Sequence, residues 1–455
     1  MDRGTVFVVG AGPAGLFATR KIAAEGYRVV VFNRDIKPGG LAEYGIYPEK
    51  YHMKQGLRKQ FFKFLDMPNV AYLGNVSVNE GGKLTVGELQ QWNPSAIVYS
   101  VGAQGTKKLG LPGEDLKGVY SAKDYVYYYN QLPPFASQDF SSGRRVAIVG
   151  MGNVMVDIAR WLLIDMPGEK PEEVVVVARR GPFEVKFDAK EFDHIEMFLD
   201  RAGFREELRR IEERIRAAGQ DISKVSEAMF PWLEKAPSAA ADRKLSFRFL
   251  TSPSGIEPDA QGRISKLRVV ENLLIAAGDT TKAKATDQTS LLDFDTLIFA
   301  IGDEADPALG LPYGKSGYLT NPDPADPDRA GYEVFDPQAG RPLEGQFVVG
   351  WARKASEGLV GKAKFDAEHG AEFVLKYLAG VEKTAAPTLE ELEQALGQKD
   401  ARLVTKQDLA LLSRAEDARA KEAGRQAFKF SANEQMLAAI EAEKEVNGQS
   451  PGVAA

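Results

Sequence analysis

The chain has 455 residues, too many for one hydrophobic core, and its 44% hydrophobic and 27% charged residues are the balance of an ordinary globular protein with two or three domains. A formal net charge of −6 gives no general affinity for nucleic acid, and no apolar run approaches the roughly 20 residues of a membrane span. With no cysteines and only three histidines, the chain excludes disulfides, cysteine-held clusters and zinc–thiolate sites of its own, so any redox chemistry has to ride on a bound organic cofactor.

Met1 leads within a few residues into a strand-like run without a cleavable small-residue site, which reads as the start of a cytoplasmic protein. Residues 5–9 are continuously apolar and stop at Gly10-Ala11-Gly12-Pro13-Ala14-Gly15; Leu16, Ile22 and Ala23 then mark a helix and residues 28–32 a second strand. Strand, glycine turn, helix and strand within about thirty residues is a dinucleotide-binding unit. Gly10 permits the tight turn, Gly12 lets the backbone approach a pyrophosphate, and Gly15 lets helix and strand pack closely. The helix N-terminus offers N–H groups and the positive end of its dipole. Asn33 stands where an acid normally meets the adenosine ribose; its amide either bonds a ribose hydroxyl or merely begins the turn. Residues 96–103 read as a buried strand ending in small residues.

A second unit opens near Arg144, with a strand at 146–149, the turn Gly150-Met151-Gly152, a helix from Asn153 to about Leu163 and a strand at 174–177. Met155 occupies the place of the third small residue, which should hold helix and strand further apart. Arg179 and Arg180 follow. They suit a 2′-phosphate, which needs planar, permanently charged donors, and are otherwise a solvated basic turn. Residues 204–218 are a charged helix in which Arg205, Arg209, Arg210, Arg214 and Arg216 alternate with Glu206, Glu207, Glu212 and Glu213. That is a salt-bridged solvated face or, alternatively, a docking patch for an acidic partner.

Residues 296–302 repeat the character of 96–103, and such paired strands mark where a chain leaves one domain and returns. The Pro-, Asp- and Gly-rich stretch 321–337 predicts a surface loop. Trp351 follows a strand at 347–349 and by itself reads as a core anchor, while Gly358-Leu359-Val360 opens a helix with backbone N–H groups for an anion or a ring edge. From about 388 to 445 the pattern is charged and helical, a peripheral tail, and the end from Gly448 reads as disordered. His52, His194 and His369 are scattered and read as structural or surface histidines.

Together these segments resemble the adrenodoxin reductase-type ferredoxin–NADP reductases and, more distantly, the small subunit of glutamate synthase. The resemblance is carried by Val8-Val9-Gly10-Ala11-Gly12-Pro13-Ala14-Gly15, by Gly40-Leu41 with Tyr44-Gly45-Ile46 and Pro48, and by Leu111-Pro112-Gly113-Glu114 with Gly118-Val119-Tyr120-Ser121-Ala122. It continues through Gly150-Met151-Gly152-Asn153-Val154 with Asp157-Ile158-Ala159-Arg160, Arg179-Arg180-Gly181-Pro182, Phe249-Leu250-Thr251-Ser252-Pro253 and Gly350-Trp351 with Gly358. Val404-Thr405, Asp408, Lys429-Phe430, Glu434 and Met436-Leu437 extend it into the tail, so it covers nearly the whole chain.

The resemblance implies an α/β protein with two Rossmann-like domains, the NADP domain (105–303) inserted into a discontinuous FAD domain (1–104 and 304–380), and a helical C-terminal extension (381–455). It implies FAD along Gly10, Gly12, Ala14 and Gly15, with Asn33 at the ribose, Leu41 and Val78 lining the site, and Trp351, Gly358, Leu359 and Val360 at the isoalloxazine. NADP would use Gly152, Asn153 and Val154 for its phosphates and Arg179 and Arg180 for the 2′-phosphate, with Glu191 near these and Gly358 near the nicotinamide. The family often carries a histidine after the proline matching Pro48. Here Lys50 stands there and His52 follows, so Lys50, His52 and Asp157 are the candidates for proton transfer. The implied activity is electron transfer between NADPH and a ferredoxin or flavodoxin-like carrier. An NADPH-oxidising subunit of a larger complex and a non-enzymatic nucleotide sensor are the alternatives.

Overall fold

Each of the two glycine-punctuated repeats stands at the centre of its own parallel sheet. The computed structural model describes residues 3–446 and 448, apart from 279, 316, 324, 326–330, 355–359, 383, 400 and 401. The chain divides into one unit made of Met1–Thr106, Tyr129–Ser137 and Gly302–Ala455, and a second made of Lys107–Tyr128 and Gln138–Ile301.

The first unit holds a six-stranded sheet in the order Glu333–Asp336, Arg341–Val348, Ala96–Tyr99, Thr5–Val9, Arg28–Asn33, Val70–Gly74. All neighbours are parallel except the first pair. These strands are apolar on both faces because both faces are covered, the rule for parallel sheets. Val6, Val8, Val29, Val31 and Val98 pack with the helices Pro13–Ala24 and Val360–Ala379, while Phe7, Val30, Phe32, Ile97 and Tyr99 serve a second cluster. Thr5–Val9 lies between Arg28–Asn33 and Ala96–Tyr99, so its carboxyl end is the switch point of strand order where such sheets bind ligands. The tail forms three helices, Leu389–Gly397, Lys406–Glu422 and Asn433–Val446, the first two opened by capping boxes at Thr388 and Thr405. Their apolar stripes complete this same core: Leu392 and Leu396 join one cluster, and Leu409, Leu412, Met436 and Ile440 the other.

In the second unit five parallel strands run in the order Val119–Ser121, Thr296–Phe299, Arg145–Val149, Glu173–Val177, Lys244–Arg248. Beside them lies an antiparallel sheet of Thr251–Pro258, Ile264–Ala277 and Thr280–Asp293, which the sequence did not announce. Its third strand, Thr280–Asp293, is exposed or half-buried throughout and carries no continuous apolar run. Two further expectations are revised. Within the stretch expected to be a surface loop, Glu333–Asp336 is a strand with Glu333 fully buried, because it pairs with Arg341–Val348. The helix beginning at Asn153 ends at Arg160 and passes into a π turn, Trp161–Asp165. Residues 449–455 lie outside the described residues.

Candidate dinucleotide-binding sites

At the switch point of the first sheet, Gly10 has φ +101°, and a Cβ there would lie 2.7 Å from the carbonyl oxygen of Ser100. A Cβ on Gly15 would collide with the Gly10 carbonyl and the Ser100 hydroxyl. That hydroxyl donates to the carbonyls of Val9 and Gly10 at 3.0 and 2.8 Å, locking the end of the neighbouring strand onto the turn. Gly12 differs: nothing lies within 4 Å of a Cβ built on it, and as N-cap of Pro13–Ala24 it offers the helix no side-chain cap. The first helical turn therefore presents uncapped N–H groups to an open face, the arrangement a pyrophosphate requires.

Asn33, 7% exposed, is spent on this architecture. Its Oδ1 accepts from the Ala11 N–H at 2.9 Å, and its Nδ2 donates to the carbonyls of Asp35 and Lys37 and to the Tyr72 hydroxyl. What remains for a ribose hydroxyl is the second lone pair of Oδ1. Burial pushes the Tyr72 phenol well above its usual range, so it stays protonated behind Asn33. Leu41 opens the four-residue helix Leu41–Tyr44 and is half-buried; Val78 is 8% exposed and packs in the core with Leu84. Gly350, with φ +68°, presses on Ala14 so closely that a Cβ would collide with the Ala14 side chain. Its N–H donates to Asp366 Oδ2 at 2.6 Å, and Arg353, lying 4.0 Å over the Tyr332 ring, pairs with the same carboxylate. Half-buried Trp351 is thereby carried beside the glycine turn. Gly358 and Leu359 lie outside the described residues, and Val360 is the first residue of the helix Val360–Ala379.

The second unit repeats the turn with its own substitutions. Gly150 has φ +128°, and a Cβ there would collide with the Ala300 carbonyl; Gly152 again has open space and no side-chain cap. Asn153 Oδ1 accepts from the Asp188 N–H at 2.7 Å, tying the turn to the segment that leads into the short helix Ala189–Phe192, where Glu191 is half-buried. Val154 is 45% exposed and Met155 fully buried. Arg179 is exposed and Arg180 half-buried; their backbone is fastened by Asn272 Nδ2 to the Arg179 carbonyl at 2.9 Å and by the Leu250 N–H to the Arg180 carbonyl at 3.1 Å. Arg180 also donates to the Thr281 carbonyl at 3.4 Å, and the Thr281 hydroxyl to Glu184 at 2.8 Å. Asp157 is half-buried on Asn153–Arg160. The other two proton-transfer candidates belong to the first unit, Lys50 as the half-buried N-cap of Tyr51–Leu65 and His52 exposed on its first turn beside the Tyr51 ring.

The arginine helix, Arg201–Ala217, is largely spoken for. Arg210 donates to Glu207, Glu271 and the Phe249 carbonyl, Arg214 to Glu271 and the Asn272 carbonyl, and Arg205 to the Leu233 carbonyl. Arg205 is exposed as well, while Arg209 and Arg216, with side chains 70% and 71% exposed, each pair with a glutamate of their own helix. Sequence reasoning missed Ser100, Tyr72, Asp366 and Thr281, because each acts across long sequence separations that no local motif encodes.

A family model described as pyridine nucleotide-disulphide oxidoreductase matches residues 4–229. The chain is 30% identical over 413 residues to the NADPH-ferredoxin reductase FprA of Mycobacterium tuberculosis, covering 84% of this chain and 85% of that protein. It is 29% identical over 410 residues to the mitochondrial NADPH:adrenodoxin oxidoreductase of Bos taurus, covering 82% and 78%. The solved structure of Mycobacterium tuberculosis FprA in complex with NADPH superposes with a TM-score of 0.81 at 26% identity, covering 96% of this chain and 99% of that one. With two braced glycine turns on parallel sheets and these likenesses along most of its length, the chain belongs to the family of NADPH-ferredoxin reductases and NADPH:adrenodoxin oxidoreductases.

Proposed function

We propose that the first unit is the FAD domain and the second the NADP domain, and that the protein is an oxidoreductase passing electrons from NADPH to a ferredoxin or flavodoxin-like carrier. The observation that carries this reading is the pair of uncapped turns, at Gly12 and Gly152, in a chain without cysteine. Such a chain has no disulfide of its own to reduce, so electrons taken from a nicotinamide have to leave through a flavin. A flavin takes the two electrons of a hydride together and releases them singly, the conversion a one-electron carrier requires.

The chain's own part is position and electrostatics. Gly10, Gly12, Ala14 and Gly15 shape the cradle for the FAD pyrophosphate, Asn33 braces it, and Leu41 and Val78 line it. Trp351 and the start of the helix Val360–Ala379 would cover the ring system, and the resemblance puts Gly358 and Leu359, which lie outside the described residues, at the same ring. Gly152, Asn153 and Val154 receive the NADP phosphates. Arg179 and Arg180 would hold the 2′-phosphate, with Glu191 nearby, and Asp157, Lys50 and His52 are the candidates for proton transfer. Among the described residues no helix is long and apolar enough to cross a membrane, and we place the protein in the cytoplasm, a location that cell fractionation tests.

Purification settles the central point. The protein should be yellow, release FAD on denaturation, and reduce a ferredoxin or flavodoxin at the expense of NADPH. Bound FMN, or no flavin after reconstitution with FAD, would overturn the reading.

A further inference from the structure

The loop that closes over the first glycine turn is held in place by the C-terminal tail. The Gly39 N–H donates to the Ala11 carbonyl at 2.7 Å, and Gly40 sits so near that a Cβ on it would be 3.1 Å from Gly12 Cα. Four residues on, Glu43 is 2% exposed. Its carboxylate takes both Nε and Nη2 of Arg58, and Lys37 approaches it at 3.7 Å. Two further members of this buried cluster come from the tail. Glu416, on Lys406–Glu422, pairs with Lys37 at 2.5 Å, and Lys429 meets the Glu43 carboxylate at 2.9 Å. Lys429 also donates to the main-chain carbonyl of Glu43 at 2.9 Å and to that of Asn130 at 3.4 Å.

Charges this deep are normally costly unless each is paired and hydrogen-bonded. Burial alone would raise the Glu43 carboxyl, yet Lys429, Lys37 and Arg58 hold it well below its usual range. A cavity of about 30 Å³, room for one water, remains among Lys37, Glu43, Lys54, Arg58 and Glu416. An arrangement so costly and so completely paired fixes geometry, and what it fixes here is the Lys37–Tyr44 stretch whose other side touches the turn.

We propose that Lys429 and Glu416 form a charge latch by which the C-terminal tail holds the Gly39–Gly40 loop against the pyrophosphate turn and so governs how firmly FAD is retained. The inference rests on the first unit being the FAD site. Lys429 acts through Glu43 and its carbonyl and touches no reacting atom; it is a positioning residue. The latch belongs to the tail and not to the nucleotide fold, so cofactor retention and hydride chemistry become separable properties of this chain.

The test is the rate of flavin release from the purified holoprotein, read as the fluorescence of freed FAD, for wild type, Lys429→Met, Lys429→Arg and Glu416→Gln. The latch requires release roughly tenfold faster in Lys429→Met, one charge-assisted hydrogen bond's worth. Lys429→Arg should restore most of the retention, and KM for NADPH should not change. Glu416→Gln keeps the shape, protects the test against a poorly folded Lys429→Met, and should release FAD faster as well. A lower melting temperature with an unaltered release rate in both Lys429→Met and Glu416→Gln would overturn the latch and reduce the cluster to a fold element. Wild type that holds no FAD would instead sink the proposed function, so the two failures are distinct.

Discussion

Lys54 offers a sharp check on the electrostatics of the buried cluster. It is 5% exposed, and its Nζ donates to Asn130 Oδ1 at 2.7 Å. Burial, reinforced by the charge of Lys429, pushes its ammonium down from 10.5 to about 6. An unfolded lysine keeps its proton up to the ordinary value, whereas the folded one keeps it only below about 6. Between the two the unfolded chain binds more protons, so wild-type stability rises with pH across that window. The upper bound on the total is roughly 6 kcal/mol, at about 1.4 kcal/mol per pH unit. The water-sized cavity beside Lys54 lets the site relax, and on the order of 2–3 kcal/mol is the realistic share. Lys54→Met removes the buried amine whose deprotonation folding requires, and with it the hydrogen bond that Asn130 Oδ1 accepts from Lys54, at a cost of about 1–3 kcal/mol. The absolute change is therefore small at neutral pH. The slope is the diagnostic. Urea unfolding of both proteins from about pH 6.5 to about pH 9.5 should show the variant's relative stability falling as pH rises, at up to about 1.4 kcal/mol per pH unit wherever the unfolded lysine is protonated and the folded one is not. A difference that stays constant across the range would refute the reasoning and place a charged, well-solvated lysine at this site.

The other expectations follow from single contacts. Replacing both Arg179 and Arg180 by alanine should cost on the order of two decades or more in kcat/KM for NADPH, at roughly 1.5–3 kcal/mol per charge-assisted contact, and leave NADH nearly unchanged; equal losses with both nucleotides would remove the 2′-phosphate from these side chains. Gly15→Ala should abolish FAD binding without altering NADPH binding to the second unit, as equilibrium titrations would show, because its Cβ has nowhere to go between Gly10 and Ser100. Arg209→Glu with Arg216→Glu should leave the rate of carrier reduction and its salt dependence unchanged, since both arginines already face glutamates of their own helix; a large loss in a stopped-flow assay would return docking to this helix. Arg210→Glu, by contrast, should destabilise by about 3–5 kcal/mol in thermal or urea unfolding, because it strips a part-buried network shared with Glu207 and Glu271.

How much could be read from the sequence depended on the range of the interaction. The turns at Gly10 and Gly150 were legible because a positive φ and the absence of a Cβ are properties of the residue itself. The charged helix was legible as a helix, but its arginines were not assignable. Glu271, dozens of residues away on the strand Ile264–Ala277, draws Arg210 and Arg214 inward while Arg209 stays out. Asn33 stood out as a departure from the expected acid, yet only the folded chain shows that its amide is committed to Ala11, Asp35, Lys37 and Tyr72. The tail was legible as helices by its leucine spacing; that it delivers Glu416 and Lys429 to a loop nearly four hundred residues earlier is a fact of tertiary structure.

The third position of each turn shows how one such distant contact decides a local motif. In the first unit the Ser100 hydroxyl reaches over to the Val9 and Gly10 carbonyls, and together with the Gly10 carbonyl it fills the space that a Cβ on residue 15 would need. Glycine is therefore required there, and the helix lies close on its strand. In the second unit the matching strand ends in Ala300, whose carbonyl still meets the first glycine but which brings no hydroxyl. Met155 stands at the third position with its side chain fully buried. Real Cβ atoms do not approach backbone closer than 3.0 Å, so the second helix cannot keep the spacing of the first. On the proposed reading, part of the grip on the nucleotide would then fall to the exposed guanidinium of Arg179 and the anchored one of Arg180. A cofactor that stays bound through turnover is served by the tight turn; a nucleotide that must arrive and leave with each cycle is served by the looser one.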